Sequence, residues 1–179
     1  GLGDVYKRQG FRHWQMSDEE LFCTMNADPY VMKYFPYLMT KEQTMVMIER
    51  IKTHFEKNGF GLYAVDELAT GQFIGFIGFS TATFESDFTP CTEIGWRLRK
   101  EAWNKGFATE GALACLEYGV PKFGLKDIYS FTAVLNKPSE RVMQKIGMTK
   151  IGEFAHPRVS ESSPLRPHVL YKILSLIHI

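Results

Sequence analysis

Three short stretches of the chain hold residues whose types and spacing could do chemistry. The first is Trp103-Asn104-Lys105-Gly106-Phe107-Ala108-Thr109-Glu110, a glycine-bearing turn that runs into a helix rich in small residues. A helix start of this kind leaves backbone N–H groups unpaired at the positive end of a dipole, and so suits a phosphate. Gly106, Ala108, Gly111 and Ala112 would let a ligand or a sheet come close to the backbone. Lys105 could add a point charge beside a phosphate. The same small residues also read as a helix packed tightly on a sheet. The second stretch is the strand 93–98. Its carboxylate, Glu93, could accept a proton from an amine, pair with Arg97, or face solvent. The third, Asn136-Lys137-Pro138-Ser139, ends a strand and opens a helix, and Asn and Ser are both good N-caps.

The rest of the chain must supply the elements that hold these stretches. Ser17-Asp18-Glu19-Glu20 has the pattern of a capping box and predicts a helix with Leu21, Phe22 and Met25 on one side. Thr40-Lys41-Glu42-Gln43 predicts a second, running past Met47, Ile48, Ile51 and Phe55 to Asn58-Gly59. Strand-forming residues then dominate 62–65 and 73–79, with a hairpin-like connection between them. Strand 93–98, helix 109–118, strand 128–135 and helix 138–146 follow, and two strands, 148–154 and 168–173, end the pattern. A helix pair, antiparallel strands, a strand-helix-strand-helix run and more strands predict an α+β fold. Its mixed, mostly antiparallel central sheet carries flanking helices.

Several functions are argued against. The formal net charge is +1 and no block of like charges stands out, so nucleic acid and anionic membrane are poor partners. No run of eighteen apolar residues occurs. Cys23, Cys91 and Cys115 are odd in number and widely spaced, matching neither a disulfide framework nor a zinc site, which fits a reducing cytoplasm. His156 and His168 are not at metal-ligand spacing. No P-loop is present, and Gly71, Gly75 and Gly78 lie in or beside strand sequence, where packing or bulges explain them better than a dinucleotide fingerprint. One domain spans 11–173. Residues 1–10 and 174–179 read as non-native flanks, similar to translated sequencing-adapter read-through, and stay outside the functional reading.

Taken together, the 93–98 strand, the Trp103–Thr109 turn and the segment Phe131 to Met148 resemble the GNAT acetyltransferase superfamily in its RimJ/RimL-like branch. The resemblance covers roughly 11–173 and implies the GNAT acyl-CoA N-acyltransferase fold. It implies acetyl-CoA as acyl donor and no metal. The partner would be a primary amine, on a small molecule or a protein N-terminus, and oligomeric state is left open. By that resemblance Trp103, Asn104, Lys105, Gly106, Phe107, Ala108 and Thr109 hold the pyrophosphate. Trp96, Arg97 and Leu98 face the pantetheine arm with their backbone, and the N–H of Leu98 is the oxyanion donor. Glu93 is the general base, Asn136 bonds the pantetheine amide region, and Ser139 lies near the sulfur and assists the leaving thiolate. The alternative is a non-catalytic acetyl-CoA-binding sensor or interaction module.

Overall fold

The computed structural model describes residues 5–173. Its strands form one eight-stranded sheet in the order β1-β2-β3-β4-β5-β6-β8-β7. They are β1 Val5–Tyr6, β2 Gln9–Arg12, β3 Leu62–Glu67, β4 Gln72–Ala82, β5 Cys91–Leu98, β6 Ile128–Ala133, β7 Thr149–Ala155 and β8 Pro167–Lys172. Every neighbouring pair is antiparallel except β5 and β6, which are parallel and joined through helices. This is the expected mixed, mostly antiparallel α+β architecture. Residues 1–4 and 174–179 of the expected flanks lie outside the described residues; from Val5 the chain pairs with the sheet, and Gln9 is fully buried.

Helices α1 (Asp18–Asn26) and α2 (Lys41–Asn58) cover one face. Helix α3 (Phe107–Ala114) covers the other, running through a π-turn at Cys115–Gly119 into α4 (Val120–Phe123), and α5 (Lys137–Lys145) lies on that face too. Adjacent residues of β4 show the division. Phe76 meets Phe22 of α1 edge-on at 6.0 Å, whereas Ile77 lies where a side chain on Gly111 of α3 would have to go, 2.3 Å from its missing Cβ. Strand alternation puts neighbours on opposite faces, so the even residues of β5 belong with α3 and the odd ones with α1 and α2.

The capping box at Thr40 forms as expected, with Thr40 and Gln43 exchanging side-chain bonds. The one at Ser17 does not: Ser17 makes no capping bond, and the Asp18 carboxylate accepts from the Gln15 N–H at 2.8 Å instead. Ser17 has helical backbone angles (φ −63°, ψ −16°), which an N-cap does not, and Asp18 is held by Arg12. Its guanidinium takes both oxygens of Asp18 at 2.7 Å and both of Asp66 at 2.7 and 2.9 Å, tying β2, α1 and β3 together. Asp18 is 1% exposed, so this ion pair is dry on the acid side. Replacing Arg12 by Met would leave that carboxylate buried and unpaired. Urea unfolding of Arg12→Met should show a loss of about 3–5 kcal/mol; a loss below about 1 kcal/mol would mean the clamp is slack, as exposed pairs are.

Candidate active site

Strands β5 and β6 pair only at Thr92–Ile128 and Glu93–Tyr129, and then part. The Ser130 hydroxyl donates to the Ile94 carbonyl at 2.9 Å where the gap opens, using a backbone acceptor that the parting strand leaves spare. On its other edge β5 stays tightly paired with β4 throughout. The Arg99 N–H bonds the Ile74 carbonyl at 2.8 Å, so the odd residues of β5 direct their backbone groups to β4. By alternation the N–H groups of Trp96 and Leu98 point into the gap, where the β5–β6 register gives them no partner. The N–H of Arg97 does not: it lies on the β4 side. β4 approaches so closely there that a Cβ on Gly75 (φ +139°) would stand 2.1 Å from the Arg97 carbonyl oxygen.

Two indoles frame this wedge. Trp96 Nε1 donates across it to Ser139 Oγ at 3.1 Å, and Trp103 Nε1 donates to the Leu98 carbonyl at 2.9 Å. Beyond Trp103 the chain turns through Asn104 (φ +59°) and Gly106 (φ +83°) into α3. Gly106 offers no side-chain cap, and Glu110 is the first residue whose N–H finds a helix carbonyl, that of Gly106 at 3.0 Å. The N–H groups of Phe107, Ala108 and Thr109 therefore stand open at the helix start. The Phe107 ring is buried, so it can offer a ligand only its backbone. Arg8, set aside in the sequence with the flank, braces this turn. It donates to the Lys105 carbonyl at 2.5 Å and to Glu110 at 2.8 Å, and lies 4.4 Å from the Phe107 ring centre.

Asn136 caps α5. Its Oδ1 accepts from the Ser139 N–H at 3.3 Å, and its Nδ2 donates to Thr132 at 3.0 Å, so both ends of the amide are engaged within the β6–α5 turn. That turn presents Ser139 to the wedge. Ser139 accepts from Trp96 and keeps its hydroxyl hydrogen for another acceptor.

Glu93 lies on the opposite face of β5, toward α1 and α2. Its one side-chain bond is a long one, 3.4 Å from Ser80, and burial pushes its carboxyl up to about 8. It does not pair with Arg97. Between them sits Gly95, opposite Gly78, and a Cβ added to Gly95 would meet only Glu93 Oε2, at 3.9 Å. The sheet surface between Glu93 and Arg97 is thus bare. Tyr129, in register with Glu93, opens an aromatic wall that sequence reasoning missed: Phe88 lies 5.6 Å from Tyr129, and Phe84, Phe131 and Phe154 pack behind it. Alternation along β6 and β7 is the signal that would have found it. His156 and His168 lie at its end, ring centres 4.9 Å apart and planes tilted by 51°, and burial holds both below the usual histidine range, His156 at about 4. A concavity of about 650 Å³ at the β3–β4 turn is lined by Arg12, Asp18, Asp66 and Arg99, whose charges are already paired with one another or with neighbours. Among the described residues no group of His, Cys, Asp and Glu could hold a metal ion, and no helix is long and apolar enough to cross a membrane.

The arrangement can therefore bind an anion at α3, hold a carbonyl oxygen on free strand N–H groups, and take up a proton on the far side of β5. Comparison with known proteins identifies the family. Residues 8–149 match the family model described as an acetyltransferase (GNAT) domain. The chain is 30% identical over 149 residues to the uncharacterized N-acetyltransferase YnaD of Bacillus subtilis, covering 83% of each. The crystal structure of a GNAT-family acetyltransferase from Bacillus anthracis superposes with a TM-score of 0.73 at 28% identity, over 93% of this chain and 95% of that one. The ribosomal-protein α-N-acetyltransferase RimL in complex with coenzyme A has a TM-score of 0.76 at 13% identity over 97% of each chain, a likeness of fold.

The raised Glu93 pKa has a sign that can be checked. Between 4.5 and about 8 the folded protein holds a proton on Glu93 that the unfolded chain has released. The Glu93 contribution to stability must therefore fall as pH rises through that window. The stability of Glu93→Gln relative to the wild type, from urea melts, should climb across the window and level off above it. A difference that stays constant would show that Glu93 titrates as an ordinary carboxylate.

Proposed function

The chain belongs to the GNAT acetyltransferase family, and on that footing we propose that it moves an acetyl group from acetyl-CoA to a primary amine by direct attack. The observation that carries this is the pair of unpaired N–H groups, Trp96 and Leu98, facing a wedge that leads to the open N-terminus of α3. The residues fit the donor substrate: the turn Trp103 to Thr109 would take its pyrophosphate, and the wedge its pantetheine arm. Asn136 contributes by fixing the turn that carries Ser139. The amine nitrogen attacks the thioester carbonyl carbon, and the Leu98 N–H bonds the oxygen as it becomes negative, a contribution typically worth about 2.7–4 kcal/mol. Glu93, directly or through water, takes the proton the amine loses. The carbon–sulfur bond breaks, and the Ser139 hydroxyl donates to the departing thiolate. A base near 8 suits this work, because it can both give up and hold a proton near neutral pH.

The placement in the RimJ/RimL-like branch rests on Trp103 and on the segment Phe131 to Met148. The acceptor is a small amine or a protein N-terminus, the setting is the cytoplasm, and neither nucleic acid nor membrane is a partner. The near-zero net charge supports these exclusions and offers no broad acidic surface for a basic protein.

Acetyl-CoA at about 100 times its Kd should stabilise the protein by ~2.7 kcal/mol, on the order of 5–11 °C in Tm for a chain of this size. With an amine panel, coenzyme A thiol release should follow, with kcat/KM rising toward an apparent pKa near 8. Glu93→Gln should lower kcat by roughly 10²–10⁴-fold and remove that limb, while leaving the thermal shift intact. A full thermal shift with no thiol release from any amine would instead favour the non-catalytic binding module.

A further inference from the structure

Arg97 is a cation without a counter-charge. Its Nη1 donates to Asn26 Oδ1 at 2.9 Å and otherwise meets only the thioethers of Met39 and Met47, at 3.8 and 4.0 Å. Thioether sulfur is a weak acceptor. The rings of Phe35 and Phe76 lie 4.4 and 5.3 Å from the guanidinium carbon. Nε is sealed from solvent with no hydrogen-bond partner, and Nη2 has none among the described residues. No carboxylate among them forms an ion pair with it; Glu93, four residues back on the same face and so about 13 Å away by strand rise, bonds Ser80 instead. Asn26 is no accident of packing, since it is fully buried and held in turn by the buried Thr44 at 3.3 Å.

The contrast with Arg12 is instructive. There two aspartates satisfy the fork; here Nε and Nη2 have no acceptor among the described residues, and of the two only Nη2 is not sealed from solvent. A guanidinium in this state lacks the anionic partner, a carboxylate or phosphate, that it binds best. For the fold alone, Met or Leu in this cage of Phe and Met would serve as well or better, because an unpaired buried charge costs stability. Residues that break the rules of folding without a structural return are where function is expected. Arg97 lies on the face that carries Glu93, with Gly95 between them.

We propose that Arg97 is the acceptor-specificity residue, and that the amine this protein acetylates carries an anionic group, a carboxylate or a phosphate, several bonds from its nitrogen. This rests on the acetyltransferase reading and on Glu93 marking the amine end of the acceptor. The amine sits near Glu93, the body of the acceptor crosses Gly95, and the anion meets the Arg97 guanidinium. Phe35, 37% exposed, covers the guanidinium from the α1–α2 connection and would pack on the acceptor's chain.

The test uses matched probes: ε-aminocaproate, its carboxamide, and aminopentylphosphonate. Wild-type kcat/KM should favour an anionic probe over the carboxamide by about 10- to 100-fold, the worth of a charge-assisted hydrogen bond. The carboxylate-to-phosphonate ratio identifies which anion the fork was built for. In Arg97→Met that preference should collapse through KM, with the acetyl-CoA thermal shift kept and Tm not lowered. Arg97→Lys, which keeps the charge and loses the fork, should retain only part of it. Equal use of anionic and neutral probes by the wild type overturns the proposal. So does an Arg97→Met variant that loses activity on every probe alike, the mark of a structural role. Should no probe be turned over, the thermal shift from the probes themselves decides: stabilisation by an anionic probe but not the carboxamide, abolished in Arg97→Met, sustains the anion site while the amine-transfer reading fails. No such stabilisation sinks the inference.

Discussion

Everything at the site follows from the parting of β5 and β6 after two register pairs. A parallel pair inside a sheet normally continues, because each strand owes its neighbour backbone hydrogen bonds and an unpaired buried N–H is costly. Here part of the debt is met in two ways: Ser130 donates to the Ile94 carbonyl and Trp103 to the Leu98 carbonyl, while Trp96 bridges the wedge to Ser139. Side chains thus satisfy acceptors along the wedge, yet none satisfies the N–H groups of Trp96 and Leu98. Donors left open in a fixed frame are what a developing oxyanion needs, because they require no reorganisation when charge appears.

The frame is stiff because its other edge cannot yield. β5 and β4 approach within the space a Cβ would occupy at Gly75, and a Cβ on Gly78 would stand 2.2 Å from the carbonyl oxygen of Gly61, the residue just before β3. β4 is therefore pressed backbone to backbone on both sides, and any slip of β5 would need to move three strands. Gly111 lets α3 settle onto Ile77 in the same manner, which fixes the helix start relative to the wedge.

Much of this was legible in the residues. Element order, the helix start at Gly106, the cap at Thr40 and the glycines of β4 all act through local chemistry, which a sequence displays. What was hidden depends on pairing across long separations. Ser17 has the letters of a capping box, but its backbone is already helical and the cap never forms, while Arg12 holds the neighbouring Asp18 and the distant Asp66 together. Gln9 and Arg8 look like foreign chain, yet one is buried against the Phe107 carbonyl and the other braces the turn before α3. Arg97 sits in a motif whose backbone faces the wedge, and only the register of β4 against β5 reveals that its own N–H and side chain point elsewhere. The aromatic wall is assembled from a loop and two strands that are distant in sequence, so no window of residues contains it.

The two faces of β5 divide the work. The α3 face holds neutral, well-satisfied groups: two indoles, a serine and a capped turn. The α1–α2 face holds the groups that folding alone would reject, a carboxyl pushed up to about 8 and an arginine pulled down to about 10, both by burial. They do not relieve each other, because bare Gly95 keeps them apart. An ion pair would have covered the bare surface between them. Keeping the two groups apart leaves Glu93 free to exchange a proton and Arg97 without an anion. A single molecule with an amine at one end and an anion at the other supplies both.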